Sequence, residues 1–171
     1  MKSGFNNLKD VNRRKLYSYV LRVEPKWETD IYRDIRIDGS RTLAELHNII
    51  IKTYQINVPE RQYMFSMDNI AFDDNGYYSP KSGDGINKGA DSAIIEDLRL
   101  EVNMRFLYLY DFGRNKLFDI TVKSRDPITT PQTPEIIASE GELDEFGKDY
   151  NPDEGLGFLF NNKMHPDSFR V

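Results

Sequence analysis

Two side chains have the chemistry for proton transfer, His47 and Asp111. His47 is one of 2 histidines, and the other, His165, lies close to the C-terminal end. An imidazole titrates near neutrality and can act as a general base or a ligand. A single His with no matching partners defines no constellation, so a core histidine with a satisfied ring nitrogen is the favoured reading. Asp111 lies between Tyr110 and Phe112-Gly113. A carboxylate in apolar company can have a raised pKa and take part in acid–base catalysis. It can equally cap a turn by accepting backbone N–H bonds, and this reading is favoured. His47 with Asp111 is the catalytic candidate pair, and Tyr110, Asp111, Phe112 and Arg114 form the candidate binding segment.

Other patterns weigh less. Asp73-Asp74-Asn75-Gly76 opens like a calcium loop, but that loop needs Glu at its twelfth position, where this chain has Asp84. A tight turn is preferred. Gly83–Gly89 is glycine-rich but lacks the Gly-Lys-Ser/Thr of a phosphate loop. Glu140, Glu142, Asp144, Glu145 and Asp149 form an acidic run that reads as a solvated surface segment, with a cation or a basic partner as the alternative. Phe106, Tyr108, Tyr110 and Phe112 could stack bases, but Arg105 and Arg114 are the only cations beside them, so core packing is favoured. No metal site and no cofactor is expected. With no Cys and only 2 His, thiolate ligands and a three-His centre are excluded.

The elements that would position these residues follow from periodicity. Leu16–Glu24 alternates as a strand and ends at Pro25; Asp30–Asp38 alternates again, and the two are expected to pair as a hairpin. Thr42-Leu43-Ala44-Glu45 is a capping box. Leu43, Leu46, His47, Ile50 and Tyr54 then form one apolar stripe, which predicts a helix to about Tyr54 packed on a sheet. Gln62–Met67 is a short strand, with Ile70–Phe72 as a further pairing segment. Asp73–Ala90 reads as a long mobile loop, and Ser92–Leu98 as a short helix or turn. Met104–Phe112 is apolar on both faces, which predicts a central strand. Gly113-Arg114-Asn115 turns the chain into a return strand over Leu117–Lys123, giving an aromatic hairpin over Val102–Val122. Asp126–Pro134 reads as an extended linker and Ile136-Ile137 as an edge strand.

The fold class expected is therefore α+β, a mostly antiparallel sheet with one main helix. The 171 residues suit one domain and can bury a core without disulfides. The boundaries expected are a frayed arm over 1–14, a domain over 15–147 and a tail over 148–171. Met1–Lys15 lacks an apolar signal core, and no run reaches the ~18 apolar residues of a membrane span. The expectation is a cytoplasmic protein with no membrane contact. A net charge of −5 counts against nucleic acid as the main partner, while a local basic patch would leave that route open.

The order of these segments carries a resemblance. A strand, a Trp-containing turn and a second strand precede Thr42-Leu43-Ala44-Glu45-Leu46-His47; later come Leu109-Tyr110-Asp111-Phe112-Gly113 and Ile120-Thr121-Val122. Over roughly Lys15–Gly147 this resembles the plasmid pRiA4b ORF-three-like family, also known as mobile-element passenger proteins under a resolvase-like name. The resemblance implies an α+β domain with no assigned activity. The chain departs from the family where members carry an acidic residue, then Trp and His, after Tyr-Asp-Phe-Gly; here stand Arg114, Lys116 and Phe118. The family's His after the helix is replaced near Gln62-Tyr63. Its Cys-rich Pro-Pro-Glu-Asp stretch is reduced to Ile136–Phe146, with Glu142-Leu143-Asp144-Glu145 and no Cys. The loss of those polar positions points to a non-enzymatic module with a protein partner. A nucleic-acid binder, or a hydrolase or transferase using Asp111 and His47, stands as the alternative.

Overall fold

A computed structural model describes residues 15–56, 61–79 and 88–143. The first strands are β1 (Leu16–Pro25) and β2 (Tyr32–Asp38), then helix α1 (Leu43–Thr53). Next come β3 (Tyr63–Ser66), β4 (Tyr77–Ser79), β5 (Lys88–Gly89) and a 3-10 turn at Ile95–Leu98. The chain continues through β6 (Arg105–Tyr110), β7 (Lys116–Ile128) and β8 (Glu135–Glu140). The strands form one sheet in the order β5-β4-β3-β6-β7-β1-β2-β8. Its pairings are antiparallel except β4 with β5, so the expected α+β class holds.

The β1–β2 hairpin forms, with Tyr19 opposite Ile37 and Leu21 opposite Ile35. The apolar stripe of α1 lies on this face, where Leu43, Leu46 and Ile50 are fully buried with Tyr19, Leu21, Ile35, Phe65, Phe106, Tyr108, Phe118 and Ile120. The capping box is complete: Glu45 N–H donates to Thr42 Oγ1 (3.2 Å) and Thr42 N–H to Glu45 Oε2 (2.8 Å). Two other first-turn amides, which no helix can satisfy internally, are met by the approaching loop. Leu43 N–H donates to the Ala93 carbonyl (2.9 Å) and Ala44 N–H to that of Ala90 (3.0 Å).

At the other end of α1, Gln55 turns left-handed at φ 55°. Its N–H donates to the Lys52 carbonyl (3.2 Å) and Ile56 N–H to that of Ile51 (3.0 Å). This is the paired closure of a Schellman stop, made without the usual glycine. Its effect is to throw Ile56 back onto the core, where it is 6% exposed.

β6 is central and covered on both faces: Phe106, Tyr108 and Tyr110 face the helix, while Leu107 and Leu109 are buried beneath the other surface. Four expectations need correction. Phe112 does not continue the Tyr108–Tyr110 face, because Asp111 takes φ 52° and ends the alternation. Its ring packs on Phe72 (5.2 Å) and Tyr78 (6.1 Å) instead, and Tyr78 pairs across from Met64, itself opposite Leu109 on the second face. Ile70–Phe72 does not extend the sheet: Phe72 turns at φ 59°, and Ile70 and Phe72 are 57% and 52% exposed. Asp73–Ala90 is not all loop, because Tyr77–Ser79 adds to β3 and Lys88–Gly89 to β4. The strand after the hairpin runs on to Ile128, into the segment expected as linker, since Pro127 and Ile128 still pair with Tyr17 and Leu16. Ile136-Ile137 lies in β8, the edge strand expected there. The expected arm, Pro59, most of Gly83–Gly89, Asp144, Glu145, Asp149 and the tail lie outside the described residues.

Candidate functional site

The clearest concave site lies at the turn between β6 and β7. Pro25 ends β1, and the next amide, Lys26 N–H, donates to the Leu117 carbonyl of β7 (2.9 Å). That bond delivers Trp27 edge-on to Phe118, with ring centres 5.0 Å apart at 81°. Ile56 arrives from the helix stop, and Tyr110 and Asp111 from the end of β6. Arg114 and Lys116 follow in the turn and the start of β7, and Leu143 closes the remaining wall from beyond β8. The space they enclose is about 10 Å³, room for roughly one water.

Asp111 is the polar centre, 4% exposed. Its backbone holds the turn: Asp111 N–H donates to Gln62 (3.0 Å), and its carbonyl accepts from Arg114 N–H (3.0 Å) and Asn115 N–H (2.8 Å). Asp tolerates the left-handed backbone better than most residues, which explains its type here. The carboxylate faces Arg61 Nε (3.7 Å) and Arg114 Nε (3.8 Å). The Lys116 ammonium lies 4.5 Å from the centre of the Trp27 ring. Among the described residues, Arg61 and Arg114 thus face the Asp111 carboxylate, and Lys116 lies over the indole beside it. Trp27 Nε1 is buried in this region with no acceptor among the described residues.

His47 belongs to a different environment. Its Nδ1 lies 2.7 Å from the Tyr108 hydroxyl, and its ring stacks on Tyr63 at 3.6 Å and 5°. Burial pushes its pKa down to about 4, so the ring is neutral at pH 7. Burial also raises the Tyr108 phenol well above its ordinary value. A neutral imidazole against a neutral phenol is a satisfied core pair. The structure therefore joins Tyr110, Asp111 and Arg114 in one pocket, sends Phe112 to the opposite face, and holds His47 on Tyr108. Asp73 is consumed by its own turn, with its carboxylate accepting from Asn75 N–H and Ser66 Oγ (2.9 Å each). No cluster of three or more His, Cys, Asp or Glu suited to a metal occurs among the described residues.

The pocket also draws in Trp27, Ile56 and Leu143, with Arg61 on the Asp111 carboxylate, and none of these is a site candidate by residue type and spacing. Only Trp27 carried a signal, as the single tryptophan of the chain in a turn between two strands.

A mostly antiparallel sheet carrying one helix, with a polar turn pocket at the end of its central strand, defines the class. The chain belongs to the plasmid pRiA4b ORF-3-like protein family, whose family model matches residues 18–149. Among solved structures it is similar to the crystal structure of a protein of unknown function, MM3350, from Methanosarcina mazei Go1. That likeness has a TM-score of 0.63 at 19% identity, covering 88% of this chain and 83% of that one, and it shows the fold. No curated protein matches the sequence. No helix among the described residues is long and apolar enough to cross a membrane.

Proposed function

We propose that this chain is a non-enzymatic protein-interaction module that binds through the pocket at Tyr110, Asp111 and Arg114. One observation carries the reading: the two groups with proton-transfer chemistry are each engaged by other partners. His47 is held neutral on Tyr108 inside the core, and Asp111 holds a turn between two guanidinium groups. What the pocket offers is an indole, a buried carboxylate and a cationic rim, which suits recognition better than turnover. The plasmid in the family's description supports a setting in mobile-element biology. Phe106, Tyr108 and Tyr110 are at most 2% exposed, so stacking of bases on that face has no support.

A tagged full-length chain recovered from native lysate, with and without nuclease, tests the reading. A stoichiometric protein partner that survives nuclease treatment is the expected result. Recovery of no protein partner, or of one lost with the nucleic acid, overturns it.

A further inference from the structure

The connection from β3 to β4, residues 67–76, holds two large apolar side chains out of the core. Ile70 and Phe72 are 57% and 52% exposed. Phe72 stands at φ 59°, a left-handed backbone that is a true outlier for a bulky residue and carries strain. A loop shaped by stability alone would place glycine or asparagine there, as it does with Asn69 at φ 60°.

The strained conformation is fixed by bonds on both sides. Ile70 N–H donates to Ser66 Oγ (3.2 Å), whose own O–H donates to the Asp73 carboxylate (2.9 Å). Phe72 N–H donates to Met64 Sδ (3.2 Å), and Asn69 Nδ2 to the Arg105 carbonyl at the start of β6 (3.0 Å). The loop closes at Gly76, where a Cβ would lie 2.6 Å from Met64 Cε and 3.0 Å from the Asp73 carbonyl. Phe112 props the loop from below, its ring edge-on to that of Phe72 at 5.2 Å and 75°. The exposure of Ile70 and Phe72 is thus built in by the same contacts that hold the loop.

The charge around the two side chains has one sign. Residues 67–76 hold 3 aspartates and neither Lys nor Arg. Asp73 is engaged in its turn, while Asp68 and Asp74 are exposed and form no ion pair among the described residues. Arg105, whose carbonyl Asn69 holds, is one cation beside them. A border of carboxylates is repelled by an anionic bilayer, by nucleic acid and by the same loop of a second copy. It suits a surface that carries the opposite charge.

We propose that the β3–β4 loop docks a partner protein, with Ile70 and Phe72 seated in an apolar groove and Asp68 and Asp74 against lysines or arginines on its rim. The loop lies on the face of the sheet away from α1 and needs no occupant in the turn pocket. Phe112 acts in it as a positioning residue.

The test places a photo-crosslinking residue on the loop of the full chain. Phe72→p-benzoylphenylalanine keeps an aromatic ring and attaches, on irradiation in native lysate, to whatever lies against it. The same residue at Ile70 and at Thr130, an exposed site between β7 and β8, gives the comparison. One protein should be attached from positions 70 and 72 and not from 130, through a segment with Lys or Arg beside apolar residues. Asp68→Lys/Asp74→Lys in the same chain should cut the yield about tenfold. Unchanged emission from Trp27, the only tryptophan, reports that the fold is kept. No adduct from 70 or 72, equal labelling from 130, attachment to a second copy of the chain or to a segment without cations, or a yield that ignores the charge reversal overturns the proposal. So does binding to vesicles of phosphatidylcholine and phosphatidylglycerol that Phe72→Ser abolishes, since the loop would then be a lipid anchor. Should the Phe72 variant not fold, the Ile70 variant decides by the same outcomes.

Discussion

His47 and Asp111 are almost equally buried, 5% and 4% exposed, yet they solve the problem of burial in opposite ways. His47 gives up its charge. Its neighbours are the Tyr63 ring and the Tyr108 hydroxyl, nothing cationic or anionic is needed, and the imidazole stays neutral. Asp111 sits where charge is compensated, with two guanidinium groups within 4 Å and backbone N–H groups drawn to its carbonyl. Equal exposure therefore says little about role. What differs is access: the arginines beside Asp111 are 42% and 32% exposed in their side chains, so that site communicates with solvent and the histidine does not.

The two regions share Phe118, whose ring lies 5.4 Å from both Tyr108 and Tyr54 and 5.0 Å from Trp27. Phe118→Ala is the substitution that should break the comparison, because it removes a wall of the turn pocket and a ring packed on Tyr108, the partner of His47. Emptying a fully buried phenylalanine costs about 3–5 kcal/mol. Urea denaturation should show a fall of that size, with a shift in Trp27 emission. A fall below about 1 kcal/mol would mean the two regions do not lean on one ring.

The next largest effect is pH-dependent and belongs to His47 alone. Its folded pKa of about 4 lies below the ordinary value near 6.5, so the unfolded chain binds the proton first. Stability is therefore full above pH 6.5, falls as the pH drops, and levels off near pH 4. Two and a half units correspond to up to about 3 kcal/mol. His47→Gln should flatten this slope while lowering stability at neutral pH through the lost packing. An unchanged slope between pH 6.5 and 4 would place its source in other groups.

These differences explain which parts of the molecule the sequence discloses. The capping box and the stripe from Leu43 to Tyr54 are local patterns, and each is realised by contacts within one helix or against one sheet. The central position of β6 follows from leucines on the face opposite its aromatics. Alternation alone puts Phe112 on the wrong face, because it assumes an unbroken strand, and Asp111 breaks it with a single positive φ. Tyr77–Ser79 hides in a polar stretch because its strand character comes from pairing with Tyr63, Met64 and Phe65, not from its own composition. The pocket is the least legible part. Trp27, Ile56, Arg61 and Leu143 come from a hairpin turn, a helix stop, a loop and the far side of β8, and only the fold makes them neighbours.

Within the histidine region, Tyr108→Phe should cost about 1–3 kcal/mol, the penalty for a buried ring nitrogen left without its 2.7 Å partner. The phenyl ring keeps the packing, so thermal melting reports the hydrogen bond with little change in core volume. No loss would mean that the imidazole finds another partner, and the satisfied pair would cease to distinguish the two sites.

The smallest effect is expected on the other side of the comparison. Asp111→Asn keeps a residue type that accepts a left-handed backbone, so the turn at φ 52° survives. It removes only the charge facing Arg61 and Arg114 at 3.7 and 3.8 Å. With both arginines partly in water, those pairs contribute at most about 1 kcal/mol. Asp111→Ala should cost more than Asn, because alanine in the left-handed region adds roughly 1 kcal/mol of backbone strain. Comparing the two variants at low and high salt separates the parts: screening should shrink the Asn penalty and leave the Ala–Asn gap unchanged. If Asn were as costly as Ala at every salt concentration, the carboxylate itself, through bonds that salt does not screen, would be what holds the turn.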